Sequence, residues 1–527
     1  MPDAFSPPAD LAERLGAIVG SSHVSTEPGL RASMAEDIYA RGTPPDLVVA
    51  PGSTEELAQV VAAATSAGRA VVPRGGGMSY TGGYVTGRAG AVLLDLRRMD
   101  RVIEVNALDM TVTVEAGATW ASLRDALRPH GLRTPFWGPL SGLSSTIGGG
   151  LSQLNAFFGA GVWGTTSESV TCLAVVLADG TVLRTGSAGT EGGAPFYRHY
   201  GPDLAGPFMG DCGALGVKAE ITFRLIPEPA HEDWASFSFP SLAATAAACT
   251  AAGRSGLASE VCGFDPGLAR IRMRRASLLA DARTLAAVVT SQKSLLAGIR
   301  EGAKMALAGR GFIEEGDWTL HLIAEGGSKA EVEARMAGLR ALMQAAGGSE
   351  IENTIPKAMR AAPFTPLNNV LGPDGQRWVP IHGIVPHSHG AACLAQIDAL
   401  FAGLKPRFEA KQILTGYLLT TLATNGFLIE PVFFWPDARY RLHETTVEPS
   451  YLARLPTHPP DPDGAALVAE ARDGILDIFQ AHGATHFQIG RTYRYAATRA
   501  APTLALLQAI KRGLDPQGLM NPGVLGL

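Results

Sequence analysis

The sequence is poor in charge, in cysteine and in long apolar runs, and each shortage removes a class of function. Only 18% of the 527 residues are charged, with 44 basic against 49 acidic and a formal net charge of -5. That balance gives no electrostatic footprint for a polyanion, so nucleic acid is not an expected partner. The five cysteines, Cys172, Cys212, Cys249, Cys262 and Cys393, are odd in number and form no CxxC pair. An iron–sulfur or structural zinc site of ordinary spacing is therefore excluded, and a reduced, cytoplasmic setting is expected. No run approaches the roughly 18 apolar residues of a membrane span. The opening MPDAFSPPADLAERL has neither a basic nor an apolar leader region, which leaves at most peripheral membrane contact.

Glycine, by contrast, is abundant and clustered. Residues 73 to 83 read PRGGGMSYTGG, five glycines in eleven positions, after the apolar run Ala70-Val71-Val72 that predicts a buried strand. Small residues of this kind let backbone N–H groups turn inward around a phosphate. A second cluster runs from Gly138-Pro139-Leu140-Ser141 through Ser145-Thr146-Ile147-Gly148-Gly149-Gly150. The chain has no GxxxxGK[ST], and no GxGxxG opens a helix after the first strand, so the P-loop and Rossmann devices are both missing. A large phosphorylated cofactor held by two loops is the remaining reading.

These two loops, with Asp46-Leu47-Val48-Val49-Ala50-Pro51 ahead of them, resemble the FAD-binding domain of the vanillyl-alcohol oxidase and p-cresol methylhydroxylase superfamily, which includes D-lactate dehydrogenases and glycolate oxidase flavin subunits. Residues 203 to 227, DLAGPFMGDCGALGVKAEITFRLIP, resemble the stretch where that family's backbone passes the flavin, with Gly213, Gly216 and Val217 at the approach. Residues 506 to 523, LLQAIKRGLDPQGLMNPG, resemble its closing helix and tail, including Asn521. The resemblance implies an α+β fold: a two-subdomain FAD-binding domain of the p-cresol methylhydroxylase type plus an α+β cap domain over the flavin. It also implies FAD contacts from Pro73, Arg74, Gly75, Gly76, Gly77, Met78, Ser79, Tyr80, Thr81 and Gly82 in the first loop, and from Pro139, Leu140, Ser141, Ser145, Thr146, Gly148, Gly149 and Gly150 in the second. Non-covalent FAD is expected, with Tyr80 or His443 as the places where a covalent link would be found.

Length and composition set the domain plan. A chain this long exceeds one ordinary core, and composition shifts at Pro227-Glu228-Pro229. The expected division is 1–228 for the FAD domain (core about 40–228), 229–470 for the cap, and 471–527 returning to the FAD domain. Ser53-Thr54-Glu55-Glu56 predicts a capping box before a helix with Leu57, Val60, Val61 and Ala64 on one face. Alternation predicts strands at 102–105 and 111–115, and Asp179-Gly180 predicts a hairpin after the strand 170–177. Helices are expected at 120–127, 240–252 and 327–345, and a strand at 318–323.

Two segments gather the residue types that oxidation of a CH–OH group needs, a base for the O–H proton and a cation for an anionic substrate. Residues 382 to 389 hold His382, His387 and His389, and residues 486 to 495 hold His486, Arg491, Tyr493, Arg494 and Tyr495. A strand over 485–495 places Arg491, Tyr493 and Tyr495 on one face. His387 and His389 are the metal candidates, but the Asp-Gly-Asn core of the hydroxy-acid members' metal motif is absent, so no metal is expected.

Three readings stay open. In one, Arg491 or Arg494 grips the carboxylate of a D-lactate-like or glycolate-like 2-hydroxy acid, His486 or His382 takes the hydroxyl proton, and hydride passes to FAD. In another, Tyr493, Tyr495 and Arg491 hold a para-substituted phenol, since RWVPIHGIVPHS and FLIEPVFFW resemble the cap of phenol oxidases. In the last, the chain is a non-catalytic flavin electron-transfer subunit. The expected partners are a small-molecule substrate and an electron acceptor that is oxygen, a quinone or a redox protein; a homodimer is left open.

Overall fold

The computed structural model describes residues 9–271 and 317–527. They fall into two compact units, one of residues up to 155, 165–228 and 487–527 and the other of 156–164 and the described residues between 229 and 486.

The first unit is built on two sheets. Strands β1 (Val24–Ser25), β2 (Leu47–Val49), β3 (Val71–Arg74) and β4 (Val92–Asp95) form one, in the order β1-β2-β4-β3, with β2, β4 and β3 parallel. Parallel strands need crossovers, and the helix Thr54–Ser66 supplies the one between β2 and β3. Its expected face is fully buried: Leu57, Val60, Val61 and Ala64 are all inaccessible to solvent. Ser53 Oγ accepts from the Glu56 amide at 3.1 Å, but the Glu56 carboxylate reaches back to the amide of Gly52, one residue earlier than a capping box requires.

The second sheet holds β5 (Val102–Asn106), β6 (Thr111–Glu115), β8 (Val170–Val176), β9 (Val182–Arg184) and β10 (Val217–Arg224), in the order β5-β6-β10-β8-β9. A short pair, β7 (Leu132–Arg133) with β11 (Ile226–Pro227), stands apart. The β8–β9 turn uses Gly180 at φ 85°, while the Asp179 carboxylate accepts from the Thr181 amide. That is the turn chemistry expected of Asp-Gly. The helix Trp120–Leu127 follows its Thr119 N-cap and buries Trp120, Leu123 and Leu127.

Among the described residues the second unit is one eight-stranded antiparallel sheet with helices. Strands β12 (His231–Phe239), β13 (Glu260–Phe264), β14 (Trp318–Gly326), β15 (Ser349–Ile351), β16 (Arg377–Pro380), β18 (Leu414–Leu422) and β19 (Gly426–Trp435) run in the order β15-β12-β14-β13-β18-β19-β16, and β17 (Gly383–Pro386) also pairs with β19. Helices Leu242–Ser255 and Lys329–Ala345 lie where alanine-rich sequence placed them.

Two boundaries differ from expectation. Residues 471–486 belong to the second unit and not to the returning segment, because the helix Pro462–Ala481 buries Leu467, Val468, Ala471, Ile475 and Phe479 as one continuous stripe. Cutting it at 470 would leave Phe479, which packs against Gly383, without its neighbour. Residues 156–164 also join the second unit, where the Ala423 amide donates to the Ala160 carbonyl and the Gly161 amide to that of Ser259.

Candidate cofactor site and its neighbours

The two glycine loops meet inside the first unit. A Cβ on Gly76 would sit 1.8 Å from the carbonyl oxygen of Ser144, and one on Gly75 would sit 2.1 Å from Thr146 Oγ1. The glycines at 75 and 76 are therefore required by loop-to-loop packing, not only by approach to a ligand. The second loop is largely satisfied by the protein: the amides of Ile147 and Gly148 donate to the carbonyls of Ala118 and Ala116, and Gly149 donates to Thr146 Oγ1. The first loop is not. The amides of Gly76, Gly77, Met78 and Ser79 have no acceptor among the described residues, although Gly77 and Ser79 are buried. A buried row of open amides in a glycine-rich turn fits an anion such as a pyrophosphate.

Several residues at the expected cofactor contacts also act as internal supports. Arg74 is buried beneath its loop, donates to the Met34 carbonyl at 2.8 Å and stacks over Tyr84. Burial pushes its pKa down. Tyr84, which the sequence reading missed, donates to the carbonyls of Gly77 and Ser79. Asp37, also missed, accepts from the Gly82 amide at 2.7 Å. Gly213, at φ 77°, lies against Pro73, and Gly216 lies against Val175 and Val176, so their close approaches are to protein.

The tail is woven into the same place. The Val71 amide donates to Leu519 and the Asn521 amide to Val71, a parallel bridge along β3. Lys511 Nζ binds the Asp515 carboxylate and the carbonyls of Ala214 and Met520. Asp211 and Lys218 form a second buried ion pair, and the Asp211 carboxylate also accepts from the amides of Gly213 and Leu215.

The strand expected over 485–495 is absent. Gln488 (φ 50°) and Gly490 (φ 53°) are left-handed, which turns the chain and removes the shared face of Arg491, Tyr493 and Tyr495. Tyr493 is buried, whereas Tyr495 lies under the Arg499 guanidinium. Arg491 Nη1 donates to the Gly82 carbonyl at 2.5 Å, and Nη2 donates to the Pro522 carbonyl at 2.8 Å and to Asn521 Oδ1 at 3.2 Å. It forms no ion pair among the described residues, and burial lowers its pKa. An arginine spent on three carbonyl-type acceptors does not match the carboxylate or phenolate grip expected of it.

In the second unit, His382 is fully buried between β16 and β17, and its carbonyl receives His486 Nδ1 at 2.8 Å. A carbonyl can only accept, so Nδ1 of His486 carries a proton. His387 and His389 turn to different acceptors, the carbonyls of Thr424 and His482, so the geometry does not bring their rings to one metal position. Among the described residues no three His, Cys, Asp or Glu side chains gather in a metal-holding group. No described helix is long and apolar enough to cross a membrane.

Residues 45–186 match the FAD binding domain family, and residues 475–525 match the C-terminal domain of FAD linked oxidases. Both matched segments are thus of the FAD linked oxidase kind. The chain's cofactor is FAD. A probable mitochondrial D-lactate dehydrogenase of Danio rerio is 34% identical over 230 residues, 43% of this chain and 44% of the relative. The chain thus aligns with less than half the length of that relative. D-2-hydroxyglutarate dehydrogenase of Xanthomonas citri pv. viticola is 27% identical over 96% of this chain and 95% of its own. The solved structure of p-cresol methylhydroxylase with substrate bound superposes with a TM-score of 0.72 over 98% of this chain and 96% of that one, at 17% identity, a likeness of fold alone.

Proposed function

We propose that the chain oxidises a 2-hydroxy acid of the D-lactate, glycolate or D-2-hydroxyglutarate kind to the 2-oxo acid, with FAD as the electron acceptor. End-to-end similarity to a D-2-hydroxyglutarate dehydrogenase supports the substrate class. The observation that supports His486 as the base is the bond from its Nδ1 to the His382 carbonyl, which orients the ring. FAD would be held by the open amides of Gly76 to Ser79 and beside Gly149, and when bound it supplies a two-electron acceptor. We assign His486 the role of base for the hydroxyl proton, and FAD, when bound, would supply the acceptor for the two electrons of the C2–H bond. His382 acts through its carbonyl, orienting His486. Because Arg491 is bonded to the Gly82 and Pro522 carbonyls, we assign the carboxylate grip to Arg494, exposed in the same turn. The flavin is held without a covalent bond, and its electrons leave to oxygen, a quinone or a redox protein.

The test is anaerobic addition of D-lactate, glycolate, D-2-hydroxyglutarate and vanillyl alcohol to the purified yellow protein in parallel. Bleaching of the flavin band by a hydroxy acid is the expected result. Bleaching by vanillyl alcohol alone would move the assignment to phenols, and bleaching by none would leave an electron-transfer subunit.

A further inference from the structure

Arg491 sits where four stretches of the first unit meet. Its backbone amide donates to the Thr81 carbonyl at 2.8 Å, and its guanidinium ties the Gly82 carbonyl to Asn521 and Pro522. Asn521, held left-handed at φ 38°, completes the knot: its Nδ2 donates to the carbonyls of Gly83 at 2.7 Å and Cys212 at 2.6 Å. The Gly490 amide donates to Cys212 Sγ at 3.3 Å, and burial pushes that thiol up to about 12, so it stays neutral. Positions where a Cβ of Gly82, Gly87 or Gly523 would stand lie 3.5 to 3.7 Å from the Arg491 side chain, so the arginine runs over a floor of glycines.

This knot grips the first loop immediately after its row of open amides, which ends at Ser79. A loop with five glycines has many backbone conformations, and its amides converge on an anion only if its ends are fixed. We propose that Arg491 is a positioning residue for FAD: it holds the Gly82–Gly83 end of the loop against the tail, and so sets the amides of Gly76 to Ser79 for the pyrophosphate. The proposal rests on the reading that this loop binds FAD. Arg491 acts through the Gly82 carbonyl and does not itself contact the substrate.

The experiment compares the parent protein with Arg491→Met, Arg491→Lys and Asn521→Ala, each purified with its flavin. Three quantities are read: FAD released on dilution, the visible circular dichroism of bound flavin, and KM for the responsive hydroxy acid at saturating added FAD. Arg491→Met is expected to release FAD at least tenfold faster and to alter the flavin dichroism, with KM within threefold of the parent. Arg491→Lys, which keeps the charge but not the forked geometry, should recover part of the retention. Asn521→Ala, which keeps the arginine but removes one of its acceptors and the two bonds from Asn521 to Gly83 and Cys212, should show the same release, and it stands in if the methionine variant does not fold. Parental FAD retention in the soluble variants overturns the proposal, as does a tenfold rise in KM with retention unchanged. A parent that binds no FAD refutes the underlying cofactor reading instead.

Discussion

Gly76→Ala and Gly149→Ala should fail for opposite reasons, although both glycines belong to cofactor loops. The added methyl at 76 would stand 1.8 Å from the Ser144 carbonyl oxygen and 2.8 Å from its carbon, both backbone atoms. To restore even a 3.0 Å contact the two loops must part by about 1.2 Å along that direction, and such overpacking typically costs about 1–3 kcal/mol. For a unit of this size that is a fall in Tm of roughly 2 to 10 °C. At 149 the methyl meets only Thr146 Oγ1, at 3.0 Å. That position lies inside the helix Ile147–Gln153, where alanine is favoured over glycine by roughly 0.5–1 kcal/mol.

The assay is thermal unfolding of both variants with and without added FAD, together with flavin content after gel filtration. Gly76→Ala should lower Tm in both conditions. Gly149→Ala should hold or raise the Tm measured without added FAD, lose flavin, and show a smaller FAD-induced gain. If Gly149→Ala keeps its full flavin, the open side of that helix does not face the cofactor. If Gly76→Ala unfolds like the parent, the two loops do not brace one another.

Three further outcomes follow from other parts of the chain. Glu260 is buried with Glu325 around the Arg360 guanidinium, and burial raises its pKa; the folded state therefore holds its proton more tightly, so its contribution to stability is full below the unfolded carboxylate range and is lost as pH rises through the folded value. Glu260→Gln should flatten that decline in a Tm-against-pH series, and an unchanged slope would remove Glu260 as its source. Asp211→Asn leaves Lys218 buried without its charge partner, and denaturant titration should show a loss of about 3–5 kcal/mol. Acid precipitation should release the colour into the supernatant; a yellow, fluorescent pellet would mean a covalent flavin.

The fold was legible wherever the sequence signal was local. Ser53 before an apolar stripe, alternation at 102–106 and 111–115, and Asp179-Gly180 each carry their own chemistry, and each element lies within a residue or two of its expected place. The unit boundary near 228 was also readable from composition. The return point was not, because the helix Pro462–Ala481 carries no break at 470 and the crossing at 486 is set by what Phe479 packs against.

At the site, the glycine loops announced a cofactor, but not which of their glycines serve the ligand and which serve each other, since both roles select the same residue for lack of a Cβ. The error over 485–495 has a sharper cause. His-Phe-Gln-Ile-Gly-Arg-Thr-Tyr-Arg-Tyr alternates as a strand does, yet a left-handed Gln488 leaves no mark in a single sequence, because only its tertiary contacts hold it there: its amide donates to the Gln153 carbonyl and its side chain to Tyr80 Oη. Once the backbone turns at 488 and 490, Arg491 points to Gly82 and the tail instead of sharing a face with the two tyrosines. His486, before the turn, is oriented by the bond from its Nδ1 to the His382 carbonyl.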